Sequence, residues 1–298
     1  MEVVHTCDAC GAGLGGRRVE GMEEVSLMEC DCGLVITSPR PTVAEIGTYY
    51  PQTYYSYTTA TPSLTRRLVD KIKAYKGGYP TEDGLPARAF WRASAALLQN
   101  LFLFHLPYQG KNRKLLEVGC GAGLNLRWAL DHGWDVYGLE LSEQAVVEAH
   151  RQGLVNVQRA NIEDAELPVE FFDTVLVHHT LEHLYSPAAA LKRSYEFLRP
   201  GGTLLIGVPK FDSWPRRISG GSWANLEIPR HLYHFTQPVL LDMIQGAGFR
   251  VREVRLSTRP LSLYYTLCTL KRIGQLKRIF TTRPSGTLSD VMLIVAEK

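Results

Sequence analysis

From Lys114 onward the sequence alternates short apolar strands with amphipathic helices, and this pattern constrains the fold more than any other feature. KLLEV predicts a buried strand, which a helix over NLRWALDHG and a second strand over DVYGLEL follow. The next helix is predicted to begin at the N-capping Ser142 and to end at Gly153. Further strands are predicted at VNVQRA, TVLVHH and TLLIGVP. Such alternation predicts an α/β fold with a parallel sheet covered by helices on both faces.

The composition fits a globular protein and excludes several other classes. The 298 residues are 45% hydrophobic and 21% charged, which excludes a disordered, collagen-like or coiled-coil chain. A net charge of +3 is too small to indicate a nucleic-acid partner by itself. No window holds the roughly 18 apolar residues of a membrane-spanning helix, and the start MEVVHTCDAC lacks the pattern of a secretory signal. We therefore expect a cytoplasmic protein.

A glycine-rich loop follows the first strand of the alternating pattern. It consists of Glu117-Val-Gly119-Cys-Gly121-Ala-Gly123. A dinucleotide-binding loop would have glycine where this chain has Leu124, and the lysine of a phosphate-binding loop is also absent. Glu140 ends the second strand about 20 residues further on, where a carboxylate can accept both hydroxyls of a ribose. This combination indicates a nucleoside cofactor without phosphate, and S-adenosylmethionine fits.

Several segments make the chain resemble class I S-adenosylmethionine-dependent methyltransferases, especially the ubiquinone-biosynthesis-like group. They are LLEVGCGAG, YGLELS, FFDTVLVHHTLEHL, FLRPGGTLLIGVP and HLYHFTQPVLLDMIQGAGFRV. The resemblance implies a Rossmann-like, seven-stranded sheet with helices on both faces and a reversed final hairpin, which residues 246–298 would complete. It also implies transfer of a methyl group from S-adenosylmethionine.

The resemblance also implies which residues contact the cofactor. The glycine loop would approach the methionine part, Glu140 the ribose and Leu141 the adenine. The expected cofactor-binding residues are Glu117, Gly119, Cys120, Gly121, Gly123, Glu140, Leu141, Asn161, Ile162 and His178. The family more often has aspartate in place of Asn161, whose amide oxygen can still accept a hydrogen bond from the adenine amino group.

Five of the nine histidines fall into two short windows of the sequence. They are His178, His179 and His183, followed by His231 and His234. An alcohol or phenol that accepts a methyl group must lose a proton, and histidine titrates in the useful range. The candidates for a catalytic base or a substrate-positioning residue are His178, His179, His231 and His234. The alternatives are a packing or capping role, above all for Glu182 and His183, and a second metal site.

Four of the six cysteines lie near the N-terminus, at Cys7, Cys10, Cys30 and Cys32. Without a secretory signal disulfides are not expected, and four thiolates suit the tetrahedral coordination of a structural Zn²⁺. A glycine-rich segment with little core would also gain stability from a metal. The second pair has one spacer residue instead of the usual two, so His5 is an alternative ligand. Free thiols in a small N-terminal fold are the other interpretation.

The sequence predicts three parts of the chain. They are a zinc-ribbon-like module at residues 1–40, a tyrosine-rich and helical lid or linker at 41–110, and a methyltransferase domain at 111–298. Helices are expected at 64–76 and 88–106. If the second part is a lid, tyrosines would line the cofactor pocket; otherwise they pack the module onto the core. The tyrosines concerned are Tyr49, Tyr50, Tyr54 and Tyr55.

A basic amphipathic helix is expected at 256–285, inserted before the last strand. The stretch 250–283 contains nine Lys or Arg residues and one acid, Glu253. Such a helix could contact anionic lipid at the inner face of the membrane, or it could cap the substrate pocket. Cys268 in this helix, like Cys120 in the glycine loop, is expected to serve as a small apolar residue.

The predicted function is S-adenosylmethionine-dependent methyl transfer to a small-molecule acceptor. A hydroxyl of a sugar, a lipid-linked glycan or a related metabolite is the expected acceptor, because the ribbon and tyrosine segments resemble a subgroup found in such pathways. RNA methylation is the alternative, although no basic run interleaved with aromatic residues lies near the expected active edge. A second alternative is a non-catalytic binding module, against which the intact glycine loop argues. The oligomeric state stays open.

Overall fold

The computed structural model describes residues 1–15, 17–21, 25–51, 55–57, 64–97, 105–257 and 289–298. The chain falls into two compact units. The cysteine unit consists of Met1–Pro51, Val177–Glu196 and Leu204–Lys298, and the glycine-loop unit consists of Gln52–Leu176 and Phe197–Thr203.

The cysteine unit contains a small antiparallel sheet. Its strands are β1 (Arg17–Gly21), β2 (Ser26–Glu29), β3 (Val35–Ser38) and β9 (Tyr233–His234), in the order β1-β2-β3-β9. In the pairing of β3 with β9, Val35 lies opposite His234 and Ile36 opposite Tyr233. Leu27, Val35, Trp223 and Leu226 form a buried apolar cluster beside it. This sheet joins the N-terminal residues to a segment far along the chain.

The glycine-loop unit contains the start of the alternating pattern. Its elements are β4 (Lys114–Val118), α3 (Leu124–Asp131), β5 (Asp135–Glu140), α4 (Glu143–Arg151) and β6 (Val157–Arg159). β5 pairs in parallel with β4 on one side and with β6 on the other. The Ser142 hydroxyl accepts a hydrogen bond from the backbone N–H of Ala145 at 3.3 Å, which confirms the predicted N-cap of α4.

Two helices that pack on each other precede β4 in this unit. They are α1 (Leu64–Gly77) and α2 (Leu85–Leu97). The expected helix at 64–76 is confirmed. The expected helix at 88–106 corresponds to α2, although His105 and Leu106 are not helical; residues 98–104 lie outside the described part of the chain. The side chain of Trp134 donates a hydrogen bond to the hydroxyl of the buried Tyr79 at 2.7 Å.

A seven-stranded sheet forms the main layer of the fold. Its remaining elements are β7 (Phe172–His178), α5 (Pro187–Phe197), β8 (Leu198–Pro209), α6 (Trp214–Ser219), α7 (Gln237–Gly246), β10 (Arg250–Ser257) and β11 (Val291–Glu297). The strand order is β10-β11-β8-β7-β4-β5-β6, and β10 and β11 are antiparallel. The expected α/β fold with a reversed final hairpin is therefore confirmed.

The expected basic helix at 256–285 is wrong at its start, because Leu256 and Ser257 belong to β10, and the rest of it falls within residues 258–288. These residues, which include Cys268, lie outside the part of the chain that the structure describes. Among the helices within the described ranges, none has both the length and the apolar composition needed to cross a bilayer.

Within the glycine-loop unit, the buried carboxylate of Asp173 joins one backbone N–H and two guanidinium groups. It accepts hydrogen bonds from the backbone N–H of Lys114 at 2.7 Å and from Nη1 of Arg113 at 2.9 Å. Nη2 of Arg199 lies 2.6 Å from the same carboxylate. One carboxylate thus connects the first residues of β4, β7 and β8.

We predict that Asp173→Ala lowers the free energy of unfolding by about 2–3 kcal/mol, because it leaves a buried N–H and two guanidinium groups without their acceptor. Urea denaturation measures the change. The control is Asp131→Ala, which removes a half-exposed partner of Arg127 and should cost about 0.5 kcal/mol or less. Equal losses for the two variants would contradict the expected role of Asp173.

Candidate functional site

The glycine loop, Gly119–Gly123, follows a backbone path that favours glycine. Gly119, Gly121 and Gly123 have φ angles of +68°, +54° and +83°. A Cβ on Gly123 would lie 2.1 Å from Cδ1 of Leu154, and one on Gly121 would lie 2.6 Å from the carbonyl oxygen of Ser56. Conformation and close approach therefore both require glycine in this loop.

Glu140, at the end of β5, holds the glycine loop in place. Its Oε2 accepts a hydrogen bond from the N–H of Gly121 at 2.9 Å, and its Oε1 accepts one from the N–H of Ser142 at 2.8 Å. Each carboxylate oxygen can accept a second hydrogen bond, so the group keeps the capacity to bind ribose hydroxyls. The spacing in the sequence indicated the ribose role but not the bond to Gly121, which depends on how the loop bends.

Glu117 lies in β4 just before the loop and is 3% exposed. Its Oε1 accepts a hydrogen bond from Asn125 at 2.7 Å, whereas its buried Oε2 has no hydrogen-bond partner among the described residues. Burial raises the pKa of Glu117 to about 8, and the charge of Glu140 acts in the same direction, while Asn125 and Lys73 act against it. A cationic donor from a ligand would complete the hydrogen bonding of this carboxyl group and favour its ionised form.

The tyrosine-rich region contributes a short 3₁₀ turn, Tyr55–Tyr57, beside the glycine loop. The Ser56 carbonyl oxygen accepts a hydrogen bond from the N–H of Ala122 at 2.8 Å. Tyr54 lies outside the described residues, as does the side chain of Tyr55. The lining of a cofactor pocket by tyrosines stays a prediction.

Tyr49 and Tyr50 belong to the cysteine unit. Tyr49 is 39% exposed, and the hydroxyl of Tyr50 lies 3.0 Å from Nδ1 of His183. Tyr50 thus contacts His183, one of the histidines of that unit.

The other expected cofactor residues of the glycine-loop unit differ in their exposure. Leu141 is 59% exposed directly after β5, and Ile162 is 1% exposed. The Asn161 carbonyl accepts a hydrogen bond from the N–H of Asp164 at 3.2 Å. Cys120 is buried, and burial raises the pKa of its thiol, so that it stays protonated. Leu141 therefore has the accessibility that contact with an adenine requires.

His178 and His179 follow one another at the end of β7, in the cysteine unit. The ring of His178 packs against Gly207, where a Cβ would lie 2.5 Å from Cδ2 of His178. His179 has a φ of +54°, and its Nδ1 lies 3.3 Å from Oε1 of the buried Glu182. A carboxylate in this position keeps the proton of a neutral imidazole on Nδ1 and makes Nε2 the proton acceptor.

His231 and His234 are each 4% exposed. The Thr37 hydroxyl donates a hydrogen bond to the His231 carbonyl at 2.7 Å, so it accepts one from Nε2 of His234 at 3.1 Å. Burial lowers the pKa of His234 to about 3 and holds the pKa of His231 well below its usual range. Both imidazoles are therefore neutral at physiological pH.

Glu182, His183 and His231 bring one ligand atom each within 4.8 Å of one another. Nδ1 of His183 donates a hydrogen bond to the Arg230 carbonyl at 3.0 Å, which leaves the lone pair on Nε2. Burial lowers the pKa of His183 and keeps its ring neutral. A carboxylate and two neutral imidazoles form a donor set suited to a divalent transition metal. The second metal site, one of the alternatives from the sequence, thus has three converging groups.

The four N-terminal cysteines also converge. Sγ atoms of Cys7 and Cys32, and likewise those of Cys10 and Cys30, lie 3.6 Å apart, and all four lie within 4.8 Å of one another. A tetrahedral Zn²⁺ with bonds of about 2.3 Å to sulfur separates its ligands by about 3.8 Å. All four are free thiols, whereas His5 is exposed and outside the group. Their geometry fits a four-cysteine metal site.

The sequence profile of the methyltransferase-domain family matches residues 90–254. The chain belongs to this family. It is 30% identical over 156 residues to a ubiquinone biosynthesis O-methyltransferase of Cereibacter sphaeroides, over 48% of this chain and 62% of that protein. It is also 30% identical over 172 residues to an Acinetobacter baylyi protein of the same name, over 52% of this chain and 71% of that protein. The match spans less than two thirds of the length of the Cereibacter relative.

Among solved structures, an S-adenosylmethionine-dependent methyltransferase from Mesorhizobium loti is similar at 20% identity with a TM-score of 0.47, covering 72% of this chain and 100% of that chain. The family match confirms the resemblance found in the sequence.

The glycine-loop unit of this methyltransferase-domain protein fits S-adenosylmethionine. Oε2 of Glu117, which has no hydrogen-bond partner among the described residues, can accept a hydrogen bond from the ammonium group of the methionine part. The remaining lone pairs of Glu140 can accept hydrogen bonds from the ribose hydroxyls. The exposed Leu141 can cover an adenine ring.

We predict that binding of S-adenosylmethionine at about pH 6.5 releases up to one proton. Glu117 is protonated below its pKa of about 8 and should ionise beside the cofactor's ammonium. Since protons are released, affinity should rise between about pH 6 and 8 and level off above. Calorimetry in two buffers of different ionisation enthalpy counts the protons.

Glu117→Gln is the matched variant for this measurement, because it keeps the shape of the side chain and removes its titration. It should bind the cofactor without the proton release and without the rise in affinity. Equal proton release by the variant and the wild-type protein would show that Glu117 is not the linked group.

Proposed function

We propose that this protein transfers a methyl group from S-adenosylmethionine to a hydroxyl of a small-molecule acceptor. The observation that carries the proposal is the buried, incompletely hydrogen-bonded carboxyl of Glu117 beside a glycine loop that Glu140 holds in place. Membership of the methyltransferase-domain family supports the reaction class. The names of the two relatives, both O-methyltransferases, support oxygen as the methylated atom.

S-adenosylmethionine, when bound, supplies an electrophilic methyl group on a sulfonium. Methyl transfer requires the acceptor oxygen in line with the sulfur–methyl bond, so the orientation of the cofactor decides the rate. Glu117 and Glu140 would fix its two polar ends. The glycines of the loop allow the backbone to approach it closely.

An alcohol or phenol must lose its proton as its oxygen forms the new bond. We assign this proton to Nε2 of His179, because Glu182 lies next to Nδ1 of the same ring at 3.3 Å. The Glu182 carboxylate would orient the imidazole and stabilise the imidazolium that forms. In this proposal the other three histidines have a structural role instead of taking the proton. His178 packs on Gly207, and His231 and His234 are buried and neutral.

A hydroxyl of a sugar, a lipid-linked glycan or a related metabolite is the acceptor class we propose. A phenolic hydroxyl of a quinone precursor is the second candidate, since the relatives are named for ubiquinone biosynthesis. Both classes present a hydroxyl whose proton a histidine can take.

We further propose a structural Zn²⁺ at Cys7, Cys10, Cys30 and Cys32. The sulfur–sulfur distances of 3.6 Å support it. The tetrahedral preference of Zn²⁺ for four thiolates supports this metal over harder cations.

Calorimetry with S-adenosylmethionine tests the cofactor half of the proposal. Gly121→Arg should reduce affinity about 100-fold or more, because its Cβ alone would lie 2.6 Å from the Ser56 carbonyl oxygen. The matched control is Gly84→Arg, at an exposed glycine of the same unit with open space around it. Absence of S-adenosylmethionine binding by the wild-type protein, or equal affinity of the two variants, would contradict the proposed cofactor site.

Methyl transfer to a panel of sugars, glycolipids and phenols tests the acceptor half. His179→Gln should lower the transfer rate about 10²–10⁴-fold, which is the usual contribution of a general base. Its affinity for S-adenosylmethionine should stay that of the wild-type protein. A variant that transfers methyl groups at the wild-type rate would exclude His179 as the base.

A further inference from the structure

Asp8, in the spacer of the first cysteine pair, bonds to the N-terminus of α5. Its Oδ2 accepts a hydrogen bond from the N–H of Ala188 at 2.7 Å, and its Oδ1 accepts one from the Ser186 hydroxyl at 2.8 Å. The Ser186 oxygen in turn accepts a hydrogen bond from the N–H of Ala189 at 3.3 Å. Pro187 has no N–H, so these bonds satisfy the first donors of the helix. The negative charge of Asp8 also suits the helix dipole.

A second connection lies just before α5. The Arg40 guanidinium lies 4.8 Å from the centroid of the Tyr185 ring and donates a hydrogen bond to the Tyr233 hydroxyl at 3.1 Å. The Tyr185 hydroxyl donates a hydrogen bond to the Pro41 carbonyl at 2.8 Å. Asp8 on one side of Ser186, and Arg40 and Pro41 on the other, therefore bind this part of the chain.

The 3₁₀ turn Leu181–His183 precedes this anchored segment and carries two of the converging side chains. The Glu182 carbonyl accepts a hydrogen bond from the N–H of Leu232 at 2.8 Å, and the Leu232 carbonyl accepts one from the N–H of Thr37 at 3.0 Å. Hydrogen bonds thus run without interruption from β3 to the turn.

We propose that Asp8 is a positioning residue through which metal binding at the four cysteines sets the position of the Leu181–His183 turn. Cys7 and Cys10 flank the spacer, so fixing their sulfur atoms fixes the backbone that directs Asp8 towards α5. Loss of the metal frees the spacer, removes the hydrogen bonds of Asp8 to Ser186 and to the first turn of α5, and loosens the turn that carries Glu182 and His183. This inference rests on the zinc site proposed above and gives that site a role beyond holding the N-terminal residues together.

Amide hydrogen exchange on the full chain, with ¹⁵N NMR of the histidine rings, tests the inference. Asp8→Ala should keep one Zn²⁺ per chain and the wild-type affinity for S-adenosylmethionine. It should raise hydrogen exchange at the Ala188 amide about 10-fold, because a lost capping hydrogen bond costs about 1.4 kcal/mol. It should also shift the ¹⁵N ring signals of His183, because the turn that carries this ring is no longer held in place. Removal of zinc from the wild-type protein should give the same two changes. Removal of zinc from Asp8→Ala should cause little further change in Ala188 exchange or in the His183 signals, because both perturbations break the same connection.

Two variants control for a merely general effect. Asp8→Asn should restore slow exchange and the His183 signals, since asparagine keeps an acceptor oxygen. Asp31→Ala removes the exposed aspartate between Cys30 and Cys32, in the other spacer, and should leave both observables unchanged. A shift of the His183 signals in Asp31→Ala equal to that in Asp8→Ala would contradict a specific route through Asp8.

The inference is overturned if the purified protein contains no metal, or if zinc removal leaves Ala188 exchange and the His183 signals unchanged. It is also overturned if zinc removal raises exchange across the whole chain, or if its effect simply adds to that of Asp8→Ala. Failure of the wild-type protein to bind S-adenosylmethionine would contradict the proposed methyl transfer alone, because metal content and exchange are measured without the cofactor.

Discussion

The carboxylate of Glu140 joins the end of β5 to the glycine loop after β4, and the cofactor site that we propose depends on this connection. The loop needs three glycines with positive φ, and one of them, Gly121, donates its N–H to Glu140. Burial raises the pKa of Glu117 to about 8, and the charge of Glu140 makes a smaller contribution in the same direction. Glu140 therefore orders the loop and also adds to the pKa shift that keeps Glu117 protonated until a cationic partner binds.

The cysteine unit holds buried histidines in defined protonation states. Thr37 bonds to the His231 carbonyl and to the ring of His234, and burial keeps both rings neutral. Glu182, also buried, lies beside Nδ1 of His179. The short N-terminal sheet takes part directly, because Thr37 belongs to β3. In our proposal, this explains why a four-cysteine module accompanies a methyltransferase domain. Thr37 in its strand β3 holds His231 and His234, and Asp8 in its spacer holds the chain next to Glu182 and His183.

The parts that were predictable from the sequence are those that local patterns determine. The apolar stretch at Lys114–Val118, the cap at Ser142 and the glycines of the loop depend on near neighbours, and each lies as expected. The pairing of β3 with β9 could not be predicted, because β9 has only two residues and carries no strand pattern of its own.

Two side-chain arrangements were equally hidden from the sequence. The hydrogen bonds of Asp8 to Ser186 and Ala188 join residues far apart along the chain. Glu182 appeared as a capping or packing residue, and only the fold brings it within reach of His231. Such arrangements depend on tertiary structure, which residue spacing along the chain does not encode.

A crystal structure of the protein with S-adenosylhomocysteine would test the central claim most directly. The amino group of the homocysteine part should lie within about 3.2 Å of Oε2 of Glu117, and both ribose hydroxyls should bond to Glu140 while its bond to Gly121 persists. A ligand bound elsewhere, or one that leaves Oε2 of Glu117 without a partner, would contradict the account.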